Sequence, residues 1–168
     1  MIWEVVAKVC GERAAEITCD WVVGTEKLKH LQHEIHANRE LLRQRALAAA
    51  SAKDLEPMTS YTLPYSRTIY DRQEYWVREN LRGPITDVYA KLKHLEDLGK
   101  QLQERFSLNA FEEYVPLLGK VLVETTLVEE RLANRTKLPM DPQQNEEDRK
   151  LGVLCEVLPK EERRGFKD

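Results

Sequence analysis

The chain has 168 residues, of which 26 are lysine or arginine and 29 are aspartate or glutamate, so its formal net charge is −3. This length is typical of one domain, and the near balance of charges excludes a polybasic nucleic-acid binder and an acidic disordered protein. The longest unbroken apolar run covers only residues 46–50, whereas a membrane span needs about 20 such residues, so we expect no membrane span.

An apolar seam with heptad spacing predicts one long amphipathic helix over residues 1–52. Eleven of the fourteen seam positions between residues 3 and 49 are apolar, and the phase of the seam does not slip at Gly24. A glycine inside a helix costs roughly 1 kcal/mol relative to alanine. The sequence therefore leaves two forms open, a continuous or bent helix and a hairpin that breaks at Gly24.

The length of this helix predicts a partner. About fifty helical residues extend about 75 Å, whereas a compact domain of this size has a diameter of about 40 Å. Part of the seam would then lie beyond the chain's own domain, and we expect the interface residues to be Leu28, Leu31, Ile35 and Leu42. A second copy of the chain or another protein would cover them, with a dimer favoured, unless the helix folds back at Gly24.

Three further helices are predicted after a linker at 53–66, which contains proline and shows no apolar period. Their predicted bounds are 67–82, 84–107 and 109–138. Gly83 and Pro84 separate the first two, because glycine is favoured just past a helix and proline at the first position of the next one. Pro116 predicts a kink or restart in the last helix.

The tail, residues 139–168, is polar except for an apolar patch at 151–158, part of which is the only segment with a strand-like pattern. We expect the patch to dock on the bundle formed by residues 1–138. A short peptide for a partner and a disordered tail are the alternatives. The predicted fold is therefore all-α, an elongated helical bundle with a long N-terminal coiled-coil-like helix and three further helices.

Aromatic and arginine residues concentrate in residues 61–82. The candidate interface residues in this segment are Tyr61, Tyr65, Arg67, Tyr70, Arg72 and Trp76. Tyrosine, tryptophan and arginine are enriched in interface hot spots, and the same mixture can stack single-stranded bases. Because the local surplus is only one positive charge, phosphate binding is disfavoured. Two interpretations remain, a protein interface and an aromatic cover for the bundle core.

Helical spacing places His30, His33 and Glu34 on roughly one face, and imidazole and carboxylate groups are metal ligands. The set matches neither HExxH nor the Glu-x-x-His pair of di-iron bundles, so we predict no metal site and no cofactor. Three cysteines without a CxxC pair predict reduced thiols rather than a disulfide framework. These are Cys10, Cys19 and Cys155.

The sequence contains no P-loop, GxGxxG or GxSxG motif, so we expect no enzyme. Regularly spaced charges near residue 1 interrupt the apolar stretch that a secretory signal requires, which favours a cytoplasmic location. Our hypothesis is an adaptor or regulatory module that self-associates or binds a protein partner through helical seams. The alternative is a nucleic-acid-associated helical protein that uses arginine and tyrosine surfaces. The arginines concerned are Arg39, Arg43, Arg45 and those of residues 67–82.

Overall fold

The computed structural model of the chain contains five helices. It describes the backbone of residues 2–51, 61–73 and 77–165, and the side chains of residues 24–51, 61–72 and 77–158. The helices are α1 (Ile2–Ser51), α2 (Thr68–Gln73), α3 (Glu79–Glu104), α4 (Leu108–Thr136) and α5 (Pro142–Gly165). The predicted all-α class is confirmed, since these ranges contain no strand. No helix among them combines the length and the apolar character that crossing a bilayer requires.

α4 is the central helix, because it packs against α1, α3 and α5. It runs antiparallel to all three, so α1 and α5 run parallel to each other. The pairs that fix these directions are Gln32–Thr136 and His36–Glu129 for α1, Asn80–Arg135 and Lys91–Glu124 for α3, and Asn145–Glu130 and Gly152–Gly119 for α5. The short helix α2 packs on α1.

The apolar residues that recur at helical spacing in α3 lie in the core, as expected for a helix with one buried face. Leu92 and Leu95 are fully buried, and the other core positions follow at helical spacing. Phe106, which the predicted helix 84–107 includes, lies beyond the end of α3 and is 45% exposed. The period thus places the core correctly up to the point where the helix ends.

α3 begins at Glu79, so Gly83 and Pro84 lie inside it rather than between two helices. The chain breaks earlier, at Arg78, whose backbone is extended, and the neighbouring Val77 is buried. The Nη2 of Arg82 donates a hydrogen bond to the carbonyl of Val77 at 3.1 Å, which supports this turn. The predicted boundary differs from the observed one because burial of Val77 fixes the break, while α3 tolerates the proline near its start.

Two glycines allow backbones to meet inside the bundle. A Cβ atom at Gly119 of α4 would overlap the carbonyl oxygen of Gly152 on α5. A Cβ atom at Gly99 of α3 would overlap the carbonyl oxygen of Tyr61, so the segment that approaches Gly99 precedes α2 and is not another helix. Both close approaches are possible only because glycine has no side chain.

The tail forms α5, which docks on α1 and α4. Its buried face contains Asp148, Gly152 and Cys155, all of which are at helical spacing. The other face of the apolar patch points away from the bundle, and Val153 and Leu154 are 57% and 46% exposed. The tail therefore docks as expected, through one face of the patch together with the buried carboxylate of Asp148.

α1 includes Gly24, so this glycine lies inside a helix and not in the turn of a hairpin. The side chains of α1 before Gly24 lie outside the described residues. The coiled-coil pairing expected for the early part of its seam stays a prediction.

Candidate binding site

A buried ionic cluster joins α1, α4 and α5. Only 2% of the Arg39 side chain is exposed, and its partners Glu129 and Asp148 are 4% and 0% exposed. Nη1 of Arg39 donates to Oε2 of Glu129 at 2.9 Å, and Nε donates to Oδ2 of Asp148 at 2.7 Å. Burial opposes the charge of Arg39, but the hydrogen bonds to the two carboxylates outweigh it and raise the pKa of Arg39 above its usual value.

The ionic cluster extends toward solvent through Arg43 and His36. Nε of Arg43 lies 3.0 Å from Oδ1 of Asp148, so this carboxylate is held by two arginines. Nδ1 of His36 lies 2.9 Å from Oε1 of Glu129. Because an ionised carboxylate only accepts hydrogen bonds, Nδ1 carries the hydrogen in this contact.

A cavity of about 320 Å³ opens beside the ionic cluster, where α4 turns into α5. We call it the corner cavity. Its walls are formed by Gln32, His33, His36, Arg39, Glu129, Leu138, Pro139, Met140, Asp141 and Gln144. Its size lies at the lower end of small-molecule sites, which measure roughly 300–1,000 Å³. Apolar residues of the α4–α5 loop form one wall and polar side chains the other.

A second cavity of about 340 Å³ lies on the other side of the same loop, since Leu138 and Met140 line both cavities. Asn145 lines this second cavity and is 5% exposed. Its Nδ2 donates to Oε1 of Glu130 at 2.9 Å, whereas its Oδ1 has no hydrogen-bond partner among the described residues. The turn between α4 and α5 is therefore flanked by two spaces that contain hydrogen-bond acceptors.

The candidate interface residues of α1 lie against the chain's own helices. Leu31, Ile35 and Leu42 are at most 1% exposed, and Leu28 packs on the same core. These four side chains were expected to lie open for a partner. They are covered instead by the bundle itself, because α4 and α5 extend along this part of α1.

The described part of the tyrosine and arginine segment also packs inward. Tyr61 packs edge-on against Tyr114, with ring centroids 5.8 Å apart, and Tyr70 stacks on Tyr89 at 4.9 Å. Arg67 lies over the Tyr70 ring and forms an ion pair with Asp71. Tyr65 is half-buried, Arg72 is exposed, and Trp76 lies outside the described residues. These contacts favour an aromatic cover for the core.

The three metal candidates are not brought together. Glu34 is 6% exposed, and its carboxylate accepts hydrogen bonds from the segment around α2, whereas His30 and His33 are exposed on α1. Across the described ranges, no three histidine, cysteine, aspartate or glutamate side chains are placed to hold a metal ion. Glu34 instead has a structural role that its sequence neighbours do not indicate.

Cys155 lies in the α5 face that packs on α1, and we predict that its thiol is protected. It is 0% exposed, its Sγ lies 3.7 Å from the carbonyl oxygen of Ala46, and burial raises its pKa to about 11. In a Cys10→Ser/Cys19→Ser variant, the thiol reagent DTNB at pH 8 should label Cys155 at least about 100-fold more slowly in buffer than in urea, because the thiolate is the nucleophile. Equal labelling rates in the two conditions would contradict this burial.

The arrangement combines a rigid ionic junction with a partly open cavity. Arg39 is neutralised by its two carboxylate partners, so it fixes the helices and does not offer a free cation to a ligand. The cavity wall contributes imidazole, carboxamide and carboxylate groups next to apolar side chains, which suits binding of a small polar molecule. No family model, no curated protein and no solved structure matches this chain.

Proposed function

We propose that this chain is a protein–protein interaction module that self-associates through the N-terminal part of α1. The observation that carries the proposal is the position of Gln32, which meets Thr136 at the C-terminal end of α4. α1 begins 30 residues earlier, at Ile2. At 1.5 Å per residue, about 45 Å of helix precedes this contact. Leu28 is the first described side chain of α1 that packs on the core.

The sequence of this N-terminal part supports pairing with another helix. Its heptad positions are apolar and comprise Trp3, Ala7, Cys10, Ala14, Ile17 and Trp21. An apolar stripe of this length is stabilised when an equivalent seam covers it, and a second copy supplies an identical one. The proposed interface lies before Leu28, because the later seam residues are used by the bundle core.

The positions of the arginines favour a protein partner over nucleic acid. Arg39 is buried between carboxylates, and Arg43 lies 3.0 Å from Asp148. Two of the three α1 arginines that the nucleic-acid alternative requires are therefore paired with carboxylates inside the chain. Phosphate binding depends on exposed cations that can release counterions from the nucleic acid, and these two offer little of that.

The test is the mass of the full chain in solution, measured by light scattering after size exclusion at micromolar concentration. We expect at least two copies for the wild type and a single copy for Ile17→Lys/Trp21→Lys, which places two charges on the seam. The matched control, Ala15→Lys/Cys19→Lys, adds the same charge away from the seam and should keep the wild-type mass. Circular dichroism should show helix in all three proteins.

A monomeric wild-type protein would overturn self-association. An oligomer that both double variants disrupt equally would overturn the seam as its interface. Positions 17 and 21 precede Arg39 by 22 and 18 residues of α1, so we expect the denaturation midpoint of the bundle to stay the same at low protein concentration.

A further inference from the structure

The wall of the corner cavity contains a carboxylate oxygen that the protein itself leaves unused. Oδ1 of Asp141 accepts the backbone N–H of Gln143 at 2.9 Å, and no partner of its Oδ2 is found among the described residues. A ligand that donates hydrogen bonds can satisfy this oxygen. The His36 ring, whose Nδ1 contacts Glu129, lies in the same wall.

The charges around the corner cavity favour a cation. Arg39 is the one guanidinium in the cavity wall, and Glu129 and Asp148 neutralise it. Asp141, also in the wall, forms no ion pair with a described residue and adds a negative charge to the wall. Lys137 is exposed and does not line the cavity. An anionic ligand would meet Asp141 without a free cation to balance it.

The helix end at this corner also favours a positively charged ligand. α4 ends just before the loop, and the C-terminal end of a helix carries partial negative charge, which attracts cations. Asp141 caps the start of α5 through Oδ1, which accepts the N–H of Gln143, so its Oδ2 is the oxygen left for a ligand.

The other wall of the corner cavity is apolar and held in shape. Leu138, Pro139 and Met140 form it, and Lys137 ends α4 in the left-handed conformation, with φ 60°. The N–H of Lys137 donates to the carbonyl of Ala133 at 2.8 Å. Prolines 139 and 142 restrict the backbone of the loop further. A site of this kind accommodates a short hydrocarbon body without reorganisation.

From these observations we propose that the corner cavity binds a small aliphatic ammonium ligand. The ammonium group pairs with Asp141, beside His36 in the cavity wall, and the hydrocarbon part lies against Leu138, Pro139 and Met140. This site is separate from the proposed interface on the N-terminal part of α1. The result of the self-association experiment therefore neither supports nor contradicts this site.

The experiment titrates the full-length protein with n-hexylammonium and records the His36 ring and the Met140 methyl group by NMR. n-Hexanoate, which has the same chain length and the opposite charge, is the ligand control. We expect saturable shifts with a Kd of about millimolar order for the ammonium, as a ligand of this size allows, and at least about ten-fold weaker binding for hexanoate. No saturable shift with the ammonium, or equal binding of the anion, would overturn the proposal.

Two variants locate the binding. Asp141→Asn removes the charge but keeps a side chain that can cap α5, and we expect it to weaken binding at least about five-fold. His36→Gln should also weaken binding. Its matched control is His94→Gln, because His94 lies 3.0 Å from Glu113 with the same 52% exposure but lies outside this cavity. Unchanged binding in Asp141→Asn, or equal losses in the two histidine variants, would overturn the assignment.

Discussion

Replacing Arg39 with methionine should lower the free energy of unfolding by about 3–5 kcal/mol, which is typical when one member of a buried ion pair is removed. Methionine fills much of the space but leaves Glu129 and Asp148 buried beside an apolar side chain. Their remaining partners, His36 and Arg43, are more exposed and contact only one oxygen of each carboxylate. Urea denaturation of the full chain at pH 7 measures the difference.

A matched control separates burial from the mere presence of an ion pair. Arg149 also joins α4 and α5, through two contacts of its Nη2 with Glu130, but its side chain is 42% exposed. Arg149→Met should therefore lower stability by less than about 1 kcal/mol. If both variants lost the same free energy of unfolding, burial of Arg39 would not account for the stability that its ion pairs provide.

A triple variant tests whether the loss comes from unpaired charge or from packing. In Arg39→Met/Glu129→Gln/Asp148→Asn the same volume is filled, but no buried carboxylate remains. Replacing a buried ionic group as a whole is often neutral, whereas breaking it is not. We expect the triple variant to be more stable than Arg39→Met. A triple variant as unstable as the single one would point to lost packing of the arginine side chain.

The helical class and much of the core could be predicted because they depend on local periods. Leu92 and Leu95 recur at helical spacing within one element, and burial of one helix face follows from that spacing alone. The start of α3 could not be predicted in the same way. Gly83 and Pro84 carry a strong local signal for a helix boundary, but burial of Val77 by the rest of the bundle fixes the break earlier.

The ionic cluster shows why the site was harder to predict than the fold. Ile35, Arg39 and Leu42 also follow a four-three spacing, so the sequence carries a signal for a buried arginine. Whether such an arginine lies in the core depends on carboxylates that balance its charge. Those carboxylates, Glu129 and Asp148, are 90 and 109 residues away, and only the packing of three helices brings them together.

The cover of the long α1 seam was also hard to predict, because it too depends on segments that are distant in the sequence. Heptad spacing identifies Leu31 and Ile35 as residues that need cover, but it does not say which chain supplies it. The tail docks through Gly152 and Cys155 of its apolar patch and through Asp148, so that α5 covers this part of α1 together with α4. The same pattern continues earlier in α1, and the proposed interface lies there.

The second large effect is expected at Glu34, whose carboxylate organises the segment around α2. Oε2 accepts from Ser66 Oγ at 2.9 Å and from the N–H of Ile69 at 2.7 Å. Oε1 accepts from the N–H of Tyr70 at 3.1 Å and from the Tyr89 hydroxyl at 2.7 Å. The two N–H groups belong to the first turn of α2, where backbone N–H groups have no hydrogen-bond acceptor within the helix. Burial raises the pKa of Tyr89, and the hydrogen bond between its hydroxyl and Glu34 raises it further.

Glu34→Ala should therefore lower the free energy of unfolding by about 3–5 kcal/mol, because buried donors to a charged acceptor lose their partner together. Glu34→Gln should lose less, about 2–3 kcal/mol, since its amide keeps one oxygen but turns an NH₂ group toward two donors. Urea denaturation measures both losses. Hydrogen exchange gives the local effect, and the amides of Ile69 and Tyr70 should lose protection before those of α4.

Glu26→Gln is the matched control for Glu34, because it makes the same chemical change eight residues earlier on the same helix. Glu26 is 56% exposed and pairs with Lys29 one turn away, so its replacement should leave both stability and amide protection unchanged. Intact protection of Ile69 and Tyr70 in Glu34→Ala would show that α2 is held by its aromatic contacts alone. Loss of protection would show that one carboxylate of α1 holds the first turn of a helix that begins 34 residues later.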